Sequence, residues 1–138
     1  MAQQIVYKIL TAVEWAAARE VGAYQGSVVD QADGYIHLSG ADQVAQTAAR
    51  HFAGQTDLVL LGVDAGRLGA ALRWEPSRGG QLFPHLYLSL PVDAVVTEHA
   101  LGLDARTSAA DLAAVVASAV APTPTFTGPP APGSEQPQ

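Results

Sequence analysis

Apolar positions in "QIVYKIL" are nearly continuous, with Lys8 the one charged residue, which predicts a mostly buried strand over residues 4–10. In "TAVEWAAAREVG" the spacing changes to a helical one. Thr11 and Glu14 stand at capping-box separation and Gly22 supplies a C-terminal stop. Next, "DQADGYIHLS" predicts an Asp33-Gly34 turn and a short strand over 35–38, and Ser39 with Asp42 predicts a capped helix running to Gly54. The Leu and Val run of "DLVLLGVD" reads as a buried strand bounded by Asp57 and Asp64, and residues 65–72 as a helical turn. After a loop carrying "EPSRGG", the segments "HLYLSL" and "AVVTEHAL" read as strands separated by turn markers at Pro91 and Asp93. Ser108 and Asp111 open an Ala-rich helix over 108–120. The expected order is β-α-β-α-β, then further strands and a last helix.

From Pro122 the chain is rich in Pro, Thr and Gly and is expected to be a disordered tail. A core domain over 1–100 and a peripheral segment over 101–121 complete the expected division. The 138 residues are 49% hydrophobic and 14% charged, a globular composition without the run of about 18 apolar residues that a membrane span needs. The N-terminus lacks a signal-peptide pattern, so a cytoplasmic location is expected. With no cysteine, disulfides, thiolate nucleophiles and Cys-based zinc sites are excluded. A net charge of −6, without long basic runs, argues against extended nucleic acid as a partner. Six of the seven basic residues are arginine, whose planar fork suits phosphate or carboxylate, so a small anionic ligand stays open.

Chemistry-bearing side chains concentrate in "LRWEPSRGGQLFPHLYLSL", residues 72–90. On "YIHLS", Tyr35, His37 and Ser39 share one strand face, and on "FPHLY" His85 and Tyr87 share another. His37 and His85 read either as satisfied structural histidines or as an acid and base pair. Glu75 reads as an ion-pair partner for Arg73 or Arg78, or as a general base. Arg78, before Gly79-Gly80, could approach an anion closely. His51, beside Arg50 near a helix end, reads as a macrodipole cation. No metal-ligand spacing links the histidines, and GxGxxG, GxxxxGK[ST] and GxSxG are all missing.

At "IVYKIL", "DGYIHLS", "LRWEPSRGG" and "LFPHLY" the chain resembles a bacterial family of uncharacterised domains, domain-of-unknown-function family 952. Members of that family look like compact ADP-ribosyltransferases, nearest to RNA 2'-phosphotransferases. The resemblance implies an α+β, ADP-ribosyltransferase-like fold in which two small facing β-sheets, flanked by short helices, hold NAD in a cleft. It places His37 in that cleft with Tyr7 near it, and Lys8 where the related enzymes carry a ribose-contacting histidine, a departure from the NAD pattern. It also implies that His37, Glu75 and His85 are the catalytic candidates. Tyr7, Lys8, Tyr35, Ser39, Arg73, Arg78, Phe83 and Tyr87 are then the candidate ligand contacts. The leading expectation is a nucleotide-like or other small anionic ligand between His37 and the 73–87 segment, with ADP-ribosyl or phosphate transfer as the implied activity. Two alternatives stay open: a non-enzymatic ligand-sensing or partner-binding module, and a His/His acid–base hydrolase or isomerase of a small metabolite.

Overall fold

A computed structural model describes residues 4–101 and 107–120. The expected tail and residues 102–106 and 121 lie outside the described residues. Strand β1 (Ile5–Thr11) pairs antiparallel with β4 (Leu58–Asp64), and β4 with β8 (Val95–Ala100). The near-continuous apolar runs of β1 and β4 follow from burial on both faces. On one face Val6, Leu10, Val59, Leu61 and Val63 join Trp15 and Ala18 of helix α1 (Ala12–Val21) in a first core cluster. On the other, Tyr7, Ile9, Leu58 and Leu60 form a second cluster. There they meet Val44 and Ala48 of α3 (Val44–His51) and Leu112 and Val116 of α4 (Ala109–Ala119). Lys8 shares the parity of Val6 and Leu10, which places an ammonium group in the first core.

The expected end signals of α1 are present: Thr11 and Glu14 form a reciprocal capping box, and Gly22 closes the helix in the left-handed region. Ser108 caps α4 by accepting from the Asp111 N–H. Two of the helix readings need correction. Ser39 does not cap a helix, because its backbone bridges to Tyr7 (2.7 and 2.9 Å) and its hydroxyl donates to Thr47; α3 starts five residues later, at Val44. The polar stretch before the turn is itself helical. It forms α2 (Val28–Asp33), opened by a second capping box between Ser27 and Asp30 and closed by Gly34.

The chemistry-rich segment over residues 72–90 begins as a β-hairpin rather than as a loop leading into one strand. Strand β5 (Leu72–Pro76) pairs with β6 (Leu82–Leu86), and Gly79 and Gly80 turn the chain between them with φ of 67 and 76°. The expected strand over 85–90 breaks at Tyr87, whose N–H donates to the Ala71 carbonyl, and resumes as β7 (Leu90–Pro91) beside β2 (Ala23–Tyr24). Strand β3 (Ile36–His37) adds to the free side of β6, giving the order β3-β6-β5. The result is α+β, with three small antiparallel sheets among the described residues where two are expected. No helix among the described residues is long and apolar enough to cross a membrane.

Candidate functional site

Strand register assembles the site. Across β3-β6-β5, His37 pairs with His85 and His85 with Arg73, so three residues distant in sequence form one transverse row. By alternation Phe83 and Glu75 lie on the same face. Ile36, Leu86 and Leu72 take the opposite face and pack into the first core. The sheet is thus apolar behind and polar in front.

In front of it lies a cavity of about 770 Å³, within the usual range for small-molecule sites. Six of the eleven candidates line it: Tyr7, Lys8, His37, Ser39, Phe83 and His85. His37 and His85 stand side by side on one wall, with ring centroids 5.7 Å apart, not on opposite walls of a cleft. The facing wall comes from β1, the start of α1 and α3, through residues such as Ile9, Glu14, Thr47, His51 and Phe52. His51 therefore reaches the cavity as well as standing in the last turn of α3.

The two imidazoles are held differently. His85 is 2% exposed; its Nδ1 donates to Glu75 Oε1 at 2.8 Å, and the Tyr87 hydroxyl donates to the same oxygen at 2.7 Å. Those two hydrogen bonds, Tyr87's foremost, hold the Glu75 carboxyl below its ordinary range, and the same bond raises the Tyr87 hydroxyl. Because an ionised carboxylate only accepts, the Glu75 bond fixes the proton on Nδ1 and leaves the lone pair of the neutral ring on Nε2. That Nε2 is buried and has no hydrogen-bond partner among the described residues. His85 is among the residues that line the cavity, and Glu75 is not. Tyr35 stacks on His85 at 4.2 Å and lies near Tyr87 at 5.3 Å, and Arg73 sits over the Tyr87 ring at 5.1 Å. These residues back the histidine from outside the cavity. The side chain of Arg78 lies outside the described residues.

His37 has a carboxylate at each ring nitrogen: Asp30 Oδ1 at 2.6 Å from Nδ1 and Asp33 Oδ2 at 2.9 Å from Nε2. Asp30 escaped the sequence reading and is the hub of the site. Only 2% exposed, it accepts from the Lys8 ammonium (3.0 Å), the Ser27 N–H (2.9 Å), and the His37 N–H and Nδ1. Burial would raise its carboxyl, but His37, Lys8 and the helix-cap N–H outweigh this and hold it well below the ordinary carboxylate range. Lys8 also donates to the His37 carbonyl at 3.0 Å. Gly26, at φ 100°, brings the chain so close that a Cβ there would meet the Cβ of Asp30 at 2.8 Å. The Ser27-x-x-Asp30 spacing was the available signal.

Residues 9–98 match the family model described as "Protein of unknown function (DUF952)". The chain belongs to this family. A crystal structure of protein CC0527 from Caulobacter crescentus is 54% identical, covers 73% of this DUF952 chain and 89% of that one, and superposes with a TM-score of 0.70. The solution NMR structure of CC0527 gives 54% identity over 73% of this chain and 87% of that one, with a TM-score of 0.65. No curated protein matches the chain.

Proposed function

We propose that this DUF952 domain binds a small molecule of nucleotide size in the cavity and acts on it through the Glu75–His85 pair. One observation carries the proposal: on His85, a cavity-lining residue held by Glu75 through Nδ1, the buried Nε2 has no hydrogen-bond partner among the described residues. Buried polar atoms are normally satisfied, and an unsatisfied one on a cavity-lining residue supports a ligand contact there. In the neutral ring this atom accepts a proton from a ligand hydroxyl or amide, general-base assistance worth about 10²–10⁴-fold in rate. Glu75 acts as the positioning carboxylate. His37, whose two nitrogens both face carboxylates, is an electrostatic and structural group.

The ADP-ribosyltransferase-like reading of the fold belongs to this proposal. Its support is the motif resemblance, and it names NAD, ADP-ribose and 2'-phosphorylated nucleotides as the first ligands to try, for ADP-ribosyl or phosphate transfer. A second reading, ligand sensing without chemistry, is favoured by Lys8. In place of a ribose-contacting histidine, this ammonium is committed to Asp30 and the His37 carbonyl.

Calorimetry on the wild type and His85→Ala with those ligands, paired with mass-spectrometric detection of products, tests both readings. Binding by the two proteins with turnover lost in His85→Ala supports the acid–base reading. Binding without turnover in either selects the sensing one, and no binding to any ligand refutes the cavity reading.

A further inference from the structure

Glu14 belongs to the cap of α1 and to the cavity lining at once. Its Oε1 accepts from the N–H and the hydroxyl of Thr11, both at 3.0 Å, which completes the capping box. Its Oε2 meets the Tyr24 hydroxyl at 3.5 Å, the long limit of a hydrogen bond. Among the described residues no cationic side chain forms an ion pair with this half-buried carboxylate. The second carboxylate of the lining is answered differently. Asp30 has the Lys8 ammonium at 3.0 Å, and that ammonium lies 5.9 Å from the centroid of the Tyr24 ring. Burial foremost, and then the charges of Glu14 and Asp30, push the Tyr24 hydroxyl above its ordinary value, so Tyr24 stays a neutral donor between two acidic groups. The fold thus holds its own ammonium with a carboxylate and an aromatic ring, and Glu14 offers the same combination without an ammonium.

We infer that the cavity takes a small organic amine whose ammonium group docks on Glu14 Oε2 beside Tyr24. Such a group gains a charge-assisted hydrogen bond from the carboxylate, and Phe52 and Phe83 add further aromatic rings to a lining that attracts cations. A second observation on the same cavity points the same way. The unpartnered Nε2 of His85 is an acceptor in the neutral ring, so it too calls for a ligand that donates. The Lys8 ammonium is already given to Asp30 and the His37 carbonyl, and no arginine lines the cavity among the described residues. A phosphorylated ligand fits this site only with its phosphate turned away from Glu14. The inference rests on the proposed cavity reading and adds to it the charge class of the ligand and the residue that reads it.

The experiment compares 5'-amino-5'-deoxyadenosine, adenosine and adenosine 5'-monophosphate, which share one scaffold and differ in charge, on the wild type, Glu14→Gln and Glu20→Gln. Glu14→Gln keeps the capping box, because the amide oxygen accepts from Thr11 as the carboxylate does, so the change removes the charge and spares the helix start. Glu20, exposed on the same helix and absent from the lining, controls for the net charge of −6. Affinity is read by calorimetry, and the ring ¹⁵N shifts of His85 report occupation of the cavity. The amine is expected to bind the wild type at least about fivefold more tightly than adenosine, and the monophosphate most weakly. Glu14→Gln is expected to abolish the preference for the amine and Glu20→Gln to keep it. If the probes bind and shift His85 but the amine gains nothing over adenosine, or its gain survives in Glu14→Gln, the inference is overturned and the cavity reading stands. Binding of none of the three also overturns it, and NAD, ADP-ribose and 2'-phosphorylated nucleotides then decide the cavity reading on their own.

Discussion

Replacing Asp30 with Asn keeps the size and shape of the side chain while removing the charge on which four donors converge. The four contacts are Lys8 Nζ at 3.0 Å, Ser27 N–H at 2.9 Å, His37 N–H at 3.1 Å and His37 Nδ1 at 2.6 Å. Whichever way the new amide turns, its NH₂ faces donors on one side, and the Lys8 ammonium, 9% exposed, loses its counter-charge. Breaking one side of a buried ion pair costs about 3–5 kcal/mol. Lys8→Met leaves Asp30 three of its four donors and is expected to cost less, about 1–3 kcal/mol. The double variant Lys8→Met/Asp30→Asn no longer carries an uncompensated ammonium, so it is expected to be no less stable than Asp30→Asn alone. Urea denaturation at neutral pH measures the three values. The acid limb gives a second reading, because the folded carboxyl titrates below its unfolded value of about 3.9. The contribution of Asp30 is therefore present above that value and is lost as pH falls toward the folded one, so the fall in stability below about pH 4 should be shallower in Asp30→Asn. A cost under about 1 kcal/mol, additive single effects, or an unchanged acid limb would refute the assignment of Asp30 as the hub.

Leu112 of α4 is 1% exposed in the second core cluster, and Leu112→Ala is expected to destabilise the protein by about 2–5 kcal/mol in the same denaturation assay. An effect below about 1 kcal/mol would mean that α4 is not part of this core. Gly62, in the middle of β4, has no room for a Cβ beside the Thr97 side chain and Ile5, so Gly62→Ala is expected to cost about 1–3 kcal/mol. Thr97→Ala, which removes the hydroxyl that the new Cβ would meet, is expected to recover part of that loss, measured as the midpoint shift of the double variant.

What could be read along the chain was whatever local chemistry decides. The Thr11–Glu14 box, the Gly22 stop and the Ser108 cap are closed within a few residues, and β1 and β4 are long enough for apolar continuity to show. Ser39 and Asp42 offered an equally good cap signal that failed. There, a backbone bridge to Tyr7 took the residue into the sheet junction, a tertiary preference that local spacing does not carry. Strands of two residues, such as β3 and β7, are too short for any periodicity. Strand β5 was hidden because Trp74, Glu75 and Pro76 look like loop chemistry until β6 pairs with them.

The site divides along the same line. His37, Glu75, His85 and Tyr87 could be picked by residue type; β6 ends before Tyr87, and it is Glu75 Oε1, not alternation along one strand, that joins His85 and Tyr87 in the fold. Which histidine keeps an unpartnered nitrogen among the described residues was decided by the carboxylates that reach each ring. One of these, Asp30, comes from a helix that resembles a polar turn. Lys8 shows why the hub matters: on β1 it reads as a lone charge in an apolar strand, and its substitution for a histidine reads as a change of ligand chemistry. The fold answers that charge with Asp30, which must then be buried, and a buried carboxylate needs every acceptor position filled. The Ser27 N–H and the His37 backbone and ring supply those donors, so the residue at position 8, the cap of α2 and the orientation of His37 form one coupled unit. An exchange at Lys8 therefore alters the cavity lining through the set of His37 as well as at position 8 itself.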